Sequence, residues 1–217
     1  MKKNLTELVF ILDKSGSMAG LEADTIGGYN SMLKKQQTAE GEVIVTTVLF
    51  NHHYELLHDR INIKGISPLT ERDYEVGGTT ALLDAIGSSI QKIVNVQKRT
   101  MVEEQAERVL FVITTDGLEN ASREYTTDKI KKMIQYQKEK FGWEFIFLGA
   151  NIDAIATAAR FGIDKDFAVD YHADSVETQV SYEAINEAVL NLRGGKKIDR
   201  NWKNGIERDY NQRSRER

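Results

Sequence analysis

Residues 8–18 read Leu8-Val9-Phe10-Ile11-Leu12-Asp13-Lys14-Ser15-Gly16-Ser17-Met18, and the change of character at Asp13 decides the fold. Leu8 to Leu12 is an unbroken apolar run, the pattern of a short strand covered on both faces. It ends abruptly in an acid, two serines and a glycine. Val109 to Thr114 repeats the design and ends in Thr115-Asp116-Gly117-Leu118-Glu119-Asn120. Two buried strands that open into polar loops at their carboxyl ends are what an open α/β sheet with a ligand site looks like from sequence.

Outward from these strands the apolar period alternates. Leu21 to Gln37 reads as a helix, with Leu21, Ile26, Tyr29 and Leu33 on one side. Val43 to Phe50 is rich in β-branched residues, and His53 to Ile63 is its expected hairpin partner, turning near Asn51–His52. A loop containing the only proline, Pro68, runs to Gly77-Gly78. After it, Ala81 to Val96 carries a helical stripe of Leu82, Ala85, Ile86, Ile90 and Ile93. Thr127 to Phe141 predicts a basic amphipathic helix, Glu144 to Leu148 a strand, and Ile152 to Phe161 a short helix closed by Gly162. Phe167 to Tyr171 predicts a brief strand, and Val176 to Leu192 a last helix. The expected architecture is therefore α/β: a Rossmann-like, mostly parallel sheet with one antiparallel edge strand and helices on both faces.

Composition narrows the class. With 217 residues, 41% hydrophobic and 29% charged, the chain suits one large globular domain. It has no cysteine, which excludes disulfides, thiolate metal sites and a cysteine nucleophile. The opening Met1 to Asp13 has two lysines before its apolar run, but that run is too short for a signal core and Glu7 and Asp13 bracket it. No stretch approaches the roughly 18 apolar residues of a membrane span, so a cytoplasmic location and no membrane partner are expected. The sequons at Asn4 and Asn120 then carry no meaning.

Charge is uneven along the chain. Residues 193–217 hold nine Lys/Arg against four Asp/Glu, a net of +5, which leaves −9 for residues 1–192 out of the total of −4. The expected division is a domain over 1–192 and a flexible, solvated basic tail over 193–217. An acidic body does not suit nucleic acid, so only the tail has the charge for such a partner.

The chemistry concentrates in three places. In an extended segment Asp13, Ser15 and Ser17, at i, i+2 and i+4, face one way, and Gly16 lets the chain curl so that their oxygens converge. Asp116 supplies a second carboxylate from the neighbouring strand. Gly77-Gly78 precedes Thr79-Thr80 at the start of a helix and offers another hydroxyl. Hydroxyls with carboxylates form a hard-oxygen set, suited to Mg²⁺, Mn²⁺ or Ca²⁺ and not to zinc. If the hydroxyls bind directly and the carboxylates act through water, the ion keeps much of its positive character. An open position then suits an Asp or Glu from outside.

The pattern Asp13-Lys14-Ser15-Gly16-Ser17-Met18, then Gly77-Gly78-Thr79-Thr80-Ala81-Leu82-Leu83-Asp84-Ala85-Ile86, then Ile113-Thr114-Thr115-Asp116-Gly117-Leu118-Glu119-Asn120, resembles the metal-ion-dependent adhesion site of von Willebrand factor A domains of the bacterial and phage, intracellular type. The three motifs come in the family order. The resemblance implies direct ligation by Ser15, Ser17 and a threonine, with Asp13 and Asp116 acting mainly through water. Thr80 fits the bacterial form of the motif better than Thr79, the alternative. It also implies a non-enzymatic module that binds a partner's Asp or Glu through Mg²⁺, inside an intracellular assembly. Lys14 is expected to point away from the metal.

Plainer readings compete at each position. Ser17 before a helix is an ordinary cap, and whichever of Thr79 and Thr80 does not face the metal is expected to cap the next helix. His52, His53 and His58 suggest a second metal cluster but sit at a strand turn. Glu119 invites an acid–base role, against which stands a solvated loop residue. Trp143 and Trp202 suit partner anchors, though Trp143 beside a strand reads as core. The rival function is a Mg²⁺-dependent hydrolase or phosphatase. Against it, the chain lacks a GxxxxGK[ST] phosphate loop, a second aspartate two residues after Asp13, and a histidine within the motifs.

Overall fold

Alternation along the first strand builds two cores at once. In the computed structural model, which describes residues 1–215, β1 spans Lys2–Asp13. Its Leu8, Phe10 and Leu12 enter one apolar cluster and its Val9 and Ile11 the other, as side chains of alternate sense must. Fully burying residues of this size contributes about 1.5–3 kcal/mol each, so this one strand ties both helical layers to the sheet.

After β1 come α1 (Glu22–Thr38), β2 (Glu42–Phe50), β3 (Tyr54–Asn62), α2 (Leu82–Arg99), β4 (Ala106–Thr115) and α3 (Thr127–Phe141). Then follow β5 (Glu144–Ala150), α4 (Ala154–Arg160), β6 (Ala168–Tyr171), α5 (Ser175–Arg193) and α6 (Asn204–Arg215). The sheet order is β3-β2-β1-β4-β5-β6, parallel throughout except for β2 with β3. One cluster lies against α1 and α5, the other against α2, α3 and α4. The expected α/β class, antiparallel edge and two-faced covering are all present. The chain leaves β1 towards β2 on one side and takes up β4 on the other. The carboxyl ends of β1 and β4 therefore frame the switch point at which such sheets bind ligands.

The charged C-terminal segment corrects the expectation of a flexible tail over 193–217. Ile198, Trp202 and Ile206 are buried in the cluster beneath α5. Trp202 donates its indole N–H to the Asp166 carbonyl at 2.9 Å. Lys203, itself buried, donates to the carbonyls of Lys165 and Ala168, both at 2.7 Å, and so covers the start of the edge strand β6. Arg193 donates to the Gln36, Ala39 and Glu40 carbonyls and closes the C-terminal end of α1. Arg213 pairs with Asp174, the N-cap of α5. Three of the cations expected to face solvent or a nucleic acid are thus engaged within the fold. Arg217 lies outside the described residues.

Glu177, in the first turn of α5, is fully buried, and its Oε2 accepts the His172 N–H at 2.6 Å. Loss of hydration pushes its carboxyl up to about 7. A carboxyl raised in this way stabilises the fold below its unfolded value of about 4.3, and that contribution is lost as pH rises through 7. Glu177→Gln is therefore expected to change stability little at pH 4. At pH 8 it should raise stability by about 3–4 kcal/mol. Urea unfolding at the two pH values reads this, and equal increments at both would contradict it.

Candidate metal centre

Asp13 ends β1 with its side chain fully buried (0% exposed) and both oxygens engaged. Its Oδ1 accepts the Ser15 N–H at 2.7 Å, and its Oδ2 accepts the Thr115 hydroxyl at 2.6 Å from the adjacent end of β4. The Asp13 carbonyl accepts the buried Tyr74 hydroxyl. Lys14 faces the other way, as expected, and its Nζ pairs with Glu55 on β3 at 2.5 Å. Its backbone is pinned on both sides, N–H to the Phe50 carbonyl and carbonyl to the Gly77 N–H.

The hydroxyls converge on one small residue. Ser15 Oγ and Ser17 Oγ are 3.1 Å apart. A Cβ at Gly117 would lie 2.8 Å from Thr80 Oγ1, 3.0 Å from Ser17 Oγ and 3.6 Å from Ser15 Oγ. Three hydroxyl oxygens from two separate loops thus border the space that the missing side chain leaves on a third. Thr80 is buried and brings its hydroxyl here, whereas Thr79 is exposed. Asp116, 5% exposed, ends the β4 side of the cradle, and its Oδ1 accepts the Asn151 amide at 2.5 Å. Burial, reinforced by the charge of Asp13, pushes the Asp116 carboxyl up to about 6; burial also raises that of Asp13. Two desolvated carboxylates behind three neutral hydroxyls are a donor set that a small hard cation fits and offsets.

The capping readings do not describe these residues. The short 3-10 turn Gly16–Met18 has no side-chain cap, and α1 starts after Leu21, also without one. Nor does Thr79 cap α2, whose N-cap is Ala81. The free N–H groups of Leu83 and Asp84 are satisfied instead by Glu119 and by the Ser122 hydroxyl from across the loop, at 2.9 and 3.0 Å. This corrects the expectation of a threonine cap and explains Glu119. Its Oε1 accepts the Ala121 and Ser122 N–H groups, and its Oε2 accepts Leu83 N–H and the Ser122 hydroxyl. Asn120 is equally structural. Its Oδ1 accepts the Thr80 N–H at 2.9 Å and its own N–H returns to the Thr80 carbonyl, which fixes Thr80.

The histidines separate. The His52 and His53 rings lie 4.0 Å apart at the β2–β3 turn, tilted by 45°, while the buried His58 lies 3.0 Å from the Thr47 hydroxyl. Among the described residues no group of three or more His, Asp or Glu is placed to hold a metal. Trp143 packs on Phe111, and Trp202 is core, not a surface anchor. Thr115 and Asn151 are not singled out in the sequence, and Asn120 only as a sequon. Thr115 and Asn120 lie inside the quoted motif, so proximity was their only signal. Asn151 had none.

No family model matches the sequence, and no curated protein does. Solved structures match in fold. A von Willebrand factor type A structure from Catenulispora acidiphila aligns with TM-score 0.57 at 11% identity, covering 86% of this chain and 42% of that one. The ArnB paralog VWA2 from Sulfolobus acidocaldarius aligns with TM-score 0.53 at 18% identity, over 92% and 46%. Proximal thread matrix protein 1 from the mussel byssus, in a structure with zinc in its MIDAS motif, aligns with TM-score 0.55 at 13% identity, over 86% and 45%. This chain therefore spans less than half the length of each of these proteins. The sheet order, the two helical layers and these neighbours together give the chain the fold of a von Willebrand factor type A domain.

Proposed function

We propose that this chain is a metal-dependent protein-binding module, in which Ser15, Ser17 and Thr80 ligate a divalent cation directly and Asp13 and Asp116 hold it through water. The single observation that carries this reading is the convergence of three hydroxyls on Gly117 in front of two buried carboxylates. The zinc in the MIDAS motif of the mussel protein supports the site's place in this fold. The oxygen donors here favour Mg²⁺ or Mn²⁺, with Ca²⁺ next. Because neutral hydroxyls fill the inner positions, the ion stays electron-poor and attracts a carboxylate from a partner protein.

The chain's own residues do the positioning. Thr115 and the Ser15 N–H orient Asp13, Asn120 fixes Thr80, and the Gly16 N–H on the Gly78 carbonyl holds two of the loops together at 3.0 Å. The hydrolase alternative needs a free general base. Glu119, the acid nearest Asp116 in sequence, has both oxygens engaged in structural hydrogen bonds. No helix among the described residues is long and apolar enough to cross a membrane, and the intracellular setting stays an expectation of the sequence alone.

Calorimetric titration with Mn²⁺ and Mg²⁺ tests the site. One binding event is expected, and Ser15→Ala/Ser17→Ala should abolish it while leaving thermal stability within about 1 kcal/mol. Binding that survives in the double variant would remove the hydroxyls from the site. Turnover of phosphate esters that needs metal and Asp13 would put the hydrolase reading first.

A further inference from the structure

One group at the centre touches Asp116 and has no counterpart in the sequence motifs. Asn151 is the first residue after β5, beside the strand that delivers Asp116, and parallel pairing sets Gly149 opposite Thr115. The chain must turn at once here. A Cβ on Gly149 would lie 2.8 Å from both Ala154 and Ile152, and α4 begins only three residues after Asn151. The turn is made by Asn151 itself, in the left-handed region at φ +53°. Glycine would serve the backbone there equally well. What glycine cannot supply is the amide, which donates to Asp116 Oδ1 at 2.5 Å and is the only side-chain hydrogen bond that Asp116 makes among the described residues.

We propose that Asn151 is a positioning residue that fixes Asp116 with a neutral donor, so that the centre carries two negative charges and the bound cation stays open to a partner's carboxylate. The inference rests on the metal-binding reading above. Its logic is a charge count. Asp13 and Asp116 together balance a divalent ion, and the three hydroxyls add no charge. An aspartate at 151 would have nearly the same shape but would lose the donor, as glycine does, and set a third carboxylate against Asp116. Relative to the glycine variant it should strengthen the hold on the cation and repel an incoming carboxylate, because ligand charge sets affinity and the ion's residual positive charge sets what docks on it. A glycine would keep the turn and release Asp116.

Comparing the glycine variant with wild type therefore reads the donor, and comparing the aspartate variant with the glycine variant reads the charge, a contrast that a merely structural role does not produce. Full-length wild type, Asn151→Gly, Asn151→Asp and Ser15→Ala/Ser17→Ala would be titrated with Mn²⁺, with and without excess acetate, and their folding checked by circular dichroism. Asn151→Gly should bind Mn²⁺ roughly 5–10-fold more weakly, with acetate still strengthening binding. Asn151→Asp should bind about tenfold more tightly than Asn151→Gly, with the acetate effect gone. Asn151→Gly within twofold of wild type, or Asn151→Asp no tighter than Asn151→Gly with the acetate effect intact, would overturn the role of Asn151 alone, provided that wild type binds and the serine double variant does not. Absence of Mn²⁺ binding in wild type would overturn the metal reading and this inference with it.

Discussion

Gly117→Ala is expected to lower Mn²⁺ affinity by roughly a hundredfold or more without disturbing the fold. The added methyl would lie 2.8 Å from Thr80 Oγ1 and 3.0 Å from Ser17 Oγ, inside the distance that real Cβ contacts keep. It would also occupy the point on which the hydroxyls converge. Backbone strain is not the cause, because Gly117 is not among the glycines with positive φ. None of the five proposed ligands changes chemically in this variant, so a lost signal would report on the shape of the cradle itself. Gly27→Ala is the matched control. Its Cβ meets nothing within 4 Å in α1, and it should bind metal normally and gain about 0.5–1 kcal/mol of stability. Calorimetry and a denaturant titration on the two variants check both halves. Near-normal metal binding in Gly117→Ala would mean that the hydroxyls do not meet a cation there.

Trp202→Ala is expected to cost about 3–5 kcal/mol, the usual loss for a large buried aromatic. Trp202 is 7% exposed, packs in the cluster with Ile198 and Ile206, and leaves the Asp166 carbonyl without its donor when removed. The segment beyond α5 also carries Lys203 on the carbonyls before β6 and Arg213 on the cap of α5. Loosening Trp202 should therefore raise amide exchange in β6 and at the start of α5 as well as in α6. A solvated tail would make the same substitution nearly silent, within about 0.5 kcal/mol. Urea unfolding separates the two outcomes without ambiguity.

Much of the fold was legible because its strands are buried on both faces. Runs such as Leu8 to Leu12 and Val109 to Ile113 have no other stable home, and the polar loops that end them mark the switch point of the sheet. The hairpin at Asn51–His53 followed from β-branched content and a turn. The C-terminal segment was misread for a physical reason. Its three core residues, Ile198, Trp202 and Ile206, recur every four positions but stand singly among charges, so mean polarity hid the period. Its cations also resembled solvated ones, whereas Lys203 and Arg193 bury their heads on backbone carbonyls.

At the centre, residue types with strong chemistry were visible and neutral partners were not. The sequence singled out Asp13, Ser15, Ser17, Thr80 and Asp116, and the fold brings their neighbourhoods together. Glu119 and Asn120 lay inside the third motif, yet nothing in the sequence says that they serve α2 and Thr80 some 40 residues away. Asn151 was invisible, since an asparagine after a strand is an ordinary turn residue until its partner is known. Caps supplied from a distant loop defeat local rules in the same way, which is why the threonine cap on α2 did not materialise.

A hydroxyl-bound cation at this site should accept a carboxylate from outside. Electron paramagnetic resonance of Mn²⁺ added to the full-length protein, with and without acetate, addresses it most directly. One bound Mn²⁺ per chain is expected, lost in Ser15→Ala/Ser17→Ala, with a bound fraction and line shape that change when acetate is added. A bound Mn²⁺ indifferent to acetate, or a spectrum of free Mn²⁺ in both conditions, would contradict it.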